Sequence, residues 1–130
     1  MNIDAVIQRL ETISELSGKV EIGHPTLMES IGSTPRVWIS SIAESAGANQ
    51  RINAPVRQRI MVRIDLVIGA RSSSEMTEIR SKIQGVLINF QSEPKDDPMT
   101  KGHGQMEFLD PAWTTWVDTY ETAYQLDSLS

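Results

Sequence analysis

The chain contains no cysteine, which excludes disulfides, thiolate metal sites and a cysteine nucleophile, and fits maturation in a reducing compartment. No apolar run approaches the roughly 18 residues a bilayer span needs. The N-terminus lacks a basic stretch followed by an apolar one, so the expectation is a soluble chain with no membrane segment and no targeting signal. Histidine is scarce, with His24 and His103 the only two, each beside proline or glycine in a loop-like stretch. A histidine base needs a nucleophile and an orienting carboxylate nearby, and no GxSxG elbow, P-loop, calcium loop or paired-histidine zinc motif occurs. Aromatic residues make up only 5% of the chain.

The charge that is present is unevenly placed. Within a net charge of −5, residues 1–92 hold ten Lys/Arg against nine Asp/Glu, whereas residues 93–130 hold two against eight, a local −6. An acidic domain neutralises few phosphates, which argues against sequence-independent nucleic-acid binding. At 130 residues the chain reads as one domain, long enough to bury about two-thirds of its unfolded surface in a single core.

The strongest local pattern is Val56 to Ile68, VRQRIMVRIDLVI. Val56, Ile60, Val62, Ile64, Leu66 and Ile68 share one parity, broken only by Gln58, and Arg57, Arg59, Met61, Arg63, Asp65 and Val67 share the other. A period of two predicts a strand with one face on a core and one face wet. Extended, such a strand spans about 44 Å, against a diameter of about 36 Å for a compact chain of this size. It must bend or project, and a projecting strand edged with arginine suits contact with a neighbour.

Around it, Asn2 or Asp4 caps a first helix with Ile3, Val6, Ile7, Leu10, Ile13 and Leu16 on one stripe, ended by Gly18. A short strand Val20 to Ile22 precedes a possible turn of helix at Leu27 to Ile31 and a turn at Gly32 to Pro35. A second strand runs Arg36 to Ile42, and a polar hairpin tip spans 43–55. Gly69 stops the long strand. Ser72 and Glu75 form a capping box that opens a second helix, with Met76, Ile79, Ile83, Val86, Leu87 and Phe90 on its buried stripe. A long loop, 91–104, leads to strands Gln105 to Asp110 and Trp116 to Leu126. Helix, three strands, helix and two strands predict an α+β domain, an antiparallel or mixed sheet with a long projecting hairpin and two main helices packed on one face.

Candidate chemistry is thin. Asp96, Asp97 and His103 would bring carboxylates and an imidazole into one loop, but without metal-ligand spacing. Gly102-His103-Gly104 and Ser72 to Ser74 suggest phosphate cradles, and a loop and a helix cap are the better readings. Trp113, Trp116, Tyr120 and Tyr124 line up beside Asp110, Asp118 and Glu121 rather than cations, so core or subunit contact outranks base stacking. Trp38 reads as core packing ahead of an interface anchor. No catalytic, cofactor-binding or metal residue is assigned.

The unit RIDLVIGARSSSEMTEIRSKIQGVL, Arg63 to Leu87, in its wider order of N-terminal helix, long alternating hairpin, isoleucine-rich central helix and two aromatic-bearing strands, resembles the bacteriophage tail terminator and minor tail protein family from Ile3 to Leu126. The acidic ending YETAYQL is compatible with it. The resemblance implies a non-enzymatic ring, a hexamer, that caps the tail tube at its head-proximal end, stops its polymerisation and offers the surface for head joining. Its partners would be further copies of itself, the tail tube protein and the head-tail connector, with DNA passing through the lumen unbound. It implies assembly in the host cytoplasm, residence in the virion, no membrane and no cofactor. On this reading Arg57, Arg59, Met61 and Arg63 form one subunit interface and Asp118 and Glu121 the other. Gly47, Asn49, Gln50 and Arg51 at the tip, and Lys95, Asp96 and Asp97 in the long loop, then meet tube or connector, both segments lacking apolar anchors. The alternative is a small monomeric or dimeric α+β ligand-binding domain or enzyme, which would need a concave pocket with convergent polar groups.

Overall fold

In the computed structural model, residues 1–25, 35–46, 57–110 and 113–127 are described, the side chains of 57, 107–110, 113 and 127 excepted. Two α-helices and a mixed five-stranded sheet make an α+β fold. The elements in chain order are α1 (Ile3–Glu11), a 3-10 turn (Ser14–Leu16), β1 (Val20–Ile22), β2 (Arg36–Ala46), β3 (Arg57–Ala70), α2 (Ser73–Leu87), β4 (Thr100–Asp110) and β5 (Trp113–Asp127). The sheet order is β1-β2-β3-β5-β4. β1 runs parallel to β2, and every other neighbour is antiparallel. β3 is the central strand, paired with β5 along its whole length.

Asn2 caps α1, its Oδ1 accepting from the Ala5 N–H at 3.1 Å. The helix then ends earlier than its apolar stripe. The chain leaves α geometry at Ile13, which is extended, and tightens into the 3-10 turn, with Ile13 and Leu16 still in the core. Gly18, at φ +70°, takes the left-handed conformation expected of it, but it follows the 3-10 turn rather than α1. Ser72 caps α2 as expected, its Oγ accepting from the Glu75 N–H at 3.1 Å.

Four strand boundaries move, one of them the start of β5, at Trp113 rather than Trp116. β2 continues through Ala43–Ala46, taking four residues from the expected tip, because each position there has a partner on β3. Gly69 does not stop β3: it pairs with Arg36 on one side and Thr115 on the other, so its backbone is bonded whatever its side chain lacks. Thr100–Gly104 belong to β4 rather than to the long loop. The rest of that loop is anchored. Asn89 N–H and Met99 N–H bond to Met99 O and Phe90 O at 2.8 and 2.9 Å, Asp97 N–H bonds to Ala123 O at 2.8 Å, and Met99 is 1% exposed in the core. Asn89, at φ +68°, makes the turn that sends the chain back. The expectation of an unanchored segment at 93–104 is therefore wrong; one methionine and three backbone bonds hold it down. The expected helical turn at Leu27 to Ile31, the turn from Gly32 to Thr34 and the tip from Gly47 to Pro55 lie outside the described residues.

The main core joins Val6, Leu10, Leu16, Met76, Ile79, Ile83 and Leu87 to Val37, Ile39, Ile64, Leu66, Ile68 and Tyr120. The even-numbered positions of β3 face it, as the period of two requires. The other face is not uniformly wet. Trp38, Val67 and Val117 form a second, smaller buried cluster there, so near Val67 β3 is covered on both sides. The register of β2 slips at Ser40, between Ile39 and Ser41, which turns Ile42 to the same face as Ile64 and leaves Ala43 and Ser45 on the other.

Candidate interaction surface

The lower half of β2, β3 and β5 carries most of the residues that the sequence singles out. Pairing sets Ala43, Arg63 and Glu121 in one row across the three strands, and Ser45, Met61 and Ala123 in the next. Small side chains on β2 beside long ones on β3 leave a cavity of about 410 Å³ lined by Ala43, Glu44, Ser45, Met61, Val62, Arg63 and Glu121. A shallower depression of about 190 Å³ adjoins it, sharing Met61 and Glu121 and reaching Arg59, Asp97 and Pro98. Met61, 41% exposed, sits between the two.

This face is less cationic than the sequence suggests. Arg59 pairs with Asp97, Arg63 Nε lies 3.7 Å from Asp65 Oδ1, and Glu121 stands directly across from Arg63 on β5. Asp65 also accepts from the Thr119 hydroxyl at 2.8 Å. Exposed pairs of this kind contribute at most about 1 kcal/mol each, so their main effect is to make the surface mixed in sign. The backbone of Arg57 pairs with Asp127, and its side chain lies outside the description.

Asp118 is not part of this face. It is fully buried, and accepts from Arg80 Nε and Nη2 at 2.8 and 2.9 Å, with Lys101 Nζ at 3.4 Å. Its carboxylate is spent on α2 and β4 rather than offered to another subunit. Parity explains the error: Asp118 and Glu121 are an odd number of residues apart on one strand and must point to opposite faces. Asp118 shares the core side with Trp116 and Tyr120. The Arg80 guanidinium lies 4.0 Å above the Trp116 ring. Burial pushes the Tyr120 hydroxyl well above the ordinary tyrosine range, the Asp118 charge adds to this, and Arg80 opposes it.

Acids on β5 lie against both glycines of Gly102-His103-Gly104, and at Gly104 they leave no room for a side chain. A Cβ on Gly102 would lie 3.3 Å from Glu121 Oε1. One on Gly104 would overlap Asp118 Oδ1 and lie 3.0 Å from Lys101 Nζ. In β4 this segment faces two carboxylates, which repel phosphate, so the cradle reading fails there. His103 Nε2 is 3.3 Å from Gln105 Oε1. Ser72 is occupied as a helix cap.

The chain matches no family model and no curated protein.

Of the expected contact loops, Gly47, Asn49, Gln50 and Arg51 lie outside the described residues. Lys95 is exposed, with Nζ 4.5 Å over the Tyr124 ring and 3.5 Å from Glu93. Asp96 is 2% exposed and accepts from Ser92 Oγ at 2.8 Å, so it is not available to a partner. Asp97 is half-exposed and held by Arg59. Among the described residues no three His, Asp or Glu side chains come together to hold a metal ion. No described helix is long and apolar enough to cross a membrane.

Sequence reasoning missed Arg80 and Lys101, the partners of Asp118. The signal available was parity, which places an acid among Trp116 and Tyr120 on a core strand and so demands a cation from a packed element. It also missed the end of β2 from Ala43 to Ala46, where Ala43 and Ser45 continue the alternation of Ser41 with Ile42 and mark a strand rather than a tip.

Proposed function

We propose that this chain is a non-enzymatic, ring-forming structural protein of the bacteriophage tail terminator type, capping a tail tube and presenting the surface for head joining. On this reading both helices cover one face of the sheet, while the β2–β3 hairpin projects beyond them and reaches the neighbouring subunit. The observation that carries it is the lower half of the sheet. Ser41 to Ala46 are exposed along β2, and Ile42, Met61 and Leu126 are 45, 41 and 48% exposed. Below Ile64, Ile60 and Val62 of β3 are still buried, at 7 and 1% exposure, but lie outside the main core cluster. Three long strands carried past the main core cluster, with exposed apolar and charged side chains on both faces, suit burial against another chain. The partners on this reading are further copies of the chain, the tube protein and the connector; DNA crosses the lumen without specific contacts.

Arg59, Met61, Arg63 and Glu121 lie on one face of this region and Ile42 and Leu126 on the other, and Asp118 is withdrawn from it. The competing reading, a ligand-binding domain or enzyme, has the cavity over Ala43 and Ser45 in its favour. Among the described residues, none of the groups whose titration is clearly shifted, Glu15, Lys82 and Tyr120, lines that cavity. Negative-stain imaging of the concentrated protein at low salt tests the proposal. Closed rings with a central hole are expected, and the double reversal R59E/R63E should weaken them. A chain that remains monomeric at high concentration refutes it.

A further inference from the structure

The sheet ends in two different edges. On one side β1 covers only Val37–Ile39 of β2, so among the described residues the outer edge of Ser41 to Ala46 pairs with nothing. On the other side lies β4, paired through β5 alone. A row of unpaired backbone N–H and C=O groups accepts another strand unless something blunts it. β4 is interrupted by register shifts at Lys101/Gly104 and Glu107/Asp110, with a regular stretch Gly104–Glu107 between them. The free part of β2 is regular against β3 from Ser41 to Ala46 and carries neither proline nor lysine.

We infer that successive copies join by sheet continuation: the Gly104–Glu107 edge of one copy pairs antiparallel with the Ser41–Ala46 edge of the next. This inference rests on the ring-former reading and names its interface. Three features of the geometry carry it.

The first is direction. β2 and β5 run one way and β3 and β4 the other, so β4 placed beside the next β2 continues the antiparallel alternation with both sheets facing the same way. The second is side-chain parity. Gln105 pairs with Val117 and Ala43 with Arg63, on the same face of the sheet. Setting Gln105 opposite Ala43, and Glu107 opposite Ser41, therefore keeps each face continuous.

The third is stagger. Glu107 is level with Gly69 through Thr115, while Ser41 is level with Asp65, four positions along β3. Gln105, level with Val67, and Ala43, level with Arg63, give the same four. Each copy contributes four long strands, so the join advances by one residue per strand. At about 3.4 Å per residue and about 4.8 Å between strands, this tilts the strands by roughly 35°. Closed sheets tilt by about 35–45°. A stagger of four, the smallest of this parity that brings Gly104–Glu107 wholly alongside Ser41–Ala46, thus matches the tilt of closed sheets; β1 of the next copy already holds the edge at Ile39 and Trp38, so the chain must leave that edge at the Glu107/Asp110 register shift.

The absence of cysteine makes the test clean. Within one copy Ala43 and Gln105 are separated by three strand spacings, about 14 Å, while a disulfide needs Cα atoms within about 7 Å. An A43C/Q105C disulfide therefore forms only between copies. Mild oxidation of the full-length double variant should give a ladder on a non-reducing denaturing gel that ends at one closed species. A43C alone should stop at a dimer. In parallel, Ala43→Lys places a charge at the join and should abolish rings in negative stain while leaving the far-UV circular dichroism unchanged. Closed rings that give no ladder and survive Ala43→Lys overturn the edge pairing and leave the ring-former reading standing. A monomer by light scattering, with no ladder, overturns both.

Discussion

Replacing Arg80 with methionine removes the two hydrogen bonds at 2.8 and 2.9 Å that Asp118 accepts and the cation stacked on Trp116. Asp118 is fully buried, and Lys101 Nζ, at 3.4 Å, is the cation that remains. Breaking a buried pair by removing one partner costs about 3–5 kcal/mol because a charge is stranded. Arg80 keeps some solvent access, at 21% side-chain exposure, and Lys101 still screens the carboxylate, so the low end applies. With an unfolding entropy of about 2.1 cal/mol/K per residue, a loss of about 3 kcal/mol lowers Tm by about 11 °C for this length. Removing both charges is different in kind: R80M/D118L strands nothing in the core, and Lys101, also 21% exposed, can turn to solvent. Swaps of buried pairs for apolar residues are often neutral, so the double variant should recover most of the loss. Thermal unfolding by circular dichroism and urea titration of the parent, both single variants and the double variant measure the coupling. Additive single and double losses would refute the claim that the pair acts as a unit.

Two glycines should respond oppositely to alanine. Gly104→Ala drives a methyl into Asp118 and should cost about 2 kcal/mol, whereas Gly85→Ala in α2, with open space around the new methyl, should add about 0.5–1 kcal/mol; urea midpoints that shift the same way would contradict this. The Lys82 hydrogen bond, with a smaller contribution from Ser14, lowers the Glu15 pKa below its ordinary 4.5. Its contribution is present above that range and is lost as pH falls through the lowered value, so Glu15→Gln should flatten the acid limb of stability against pH; parallel limbs in the two proteins would sink the assignment. Tyr120 is shifted the other way by burial, so its contribution is present below 10.0 and is lost as pH rises beyond that. Its hydroxyl is buried without a hydrogen-bond partner among the described residues. Tyr120→Phe should therefore be neutral or stabilising by up to about 1 kcal/mol at neutral pH and should remove part of the alkaline loss in stability, both read from urea midpoints.

The local chemistry of the chain decided its elements. The alternation from Ile60 to Ile68 makes β3 a strand with a core face, Ser72 and Glu75 open α2, and Met76, Ile79, Ile83 and Leu87 choose its buried side. These signals are short-range: a period of two or 3.6 and a cap depend only on neighbours in sequence. Tertiary pairing decided what they leave open. Ala43 to Ala46 read locally as a polar tip, and become strand because β3 offers partners. Ile13 and Leu16 fit a helical stripe, yet reach the core from a 3-10 turn. For the candidate surface, the sequence by itself put Arg59, Met61 and Arg63 on one face of β3, and parity separates Asp118 from Glu121. Only the assembled sheet, by setting strands distant in sequence side by side, decided that Asp118 belongs to Arg80, that Arg59 is held by Asp97, and that Gly104–Glu107 and Ser41–Ala46 lie toward opposite edges of the sheet.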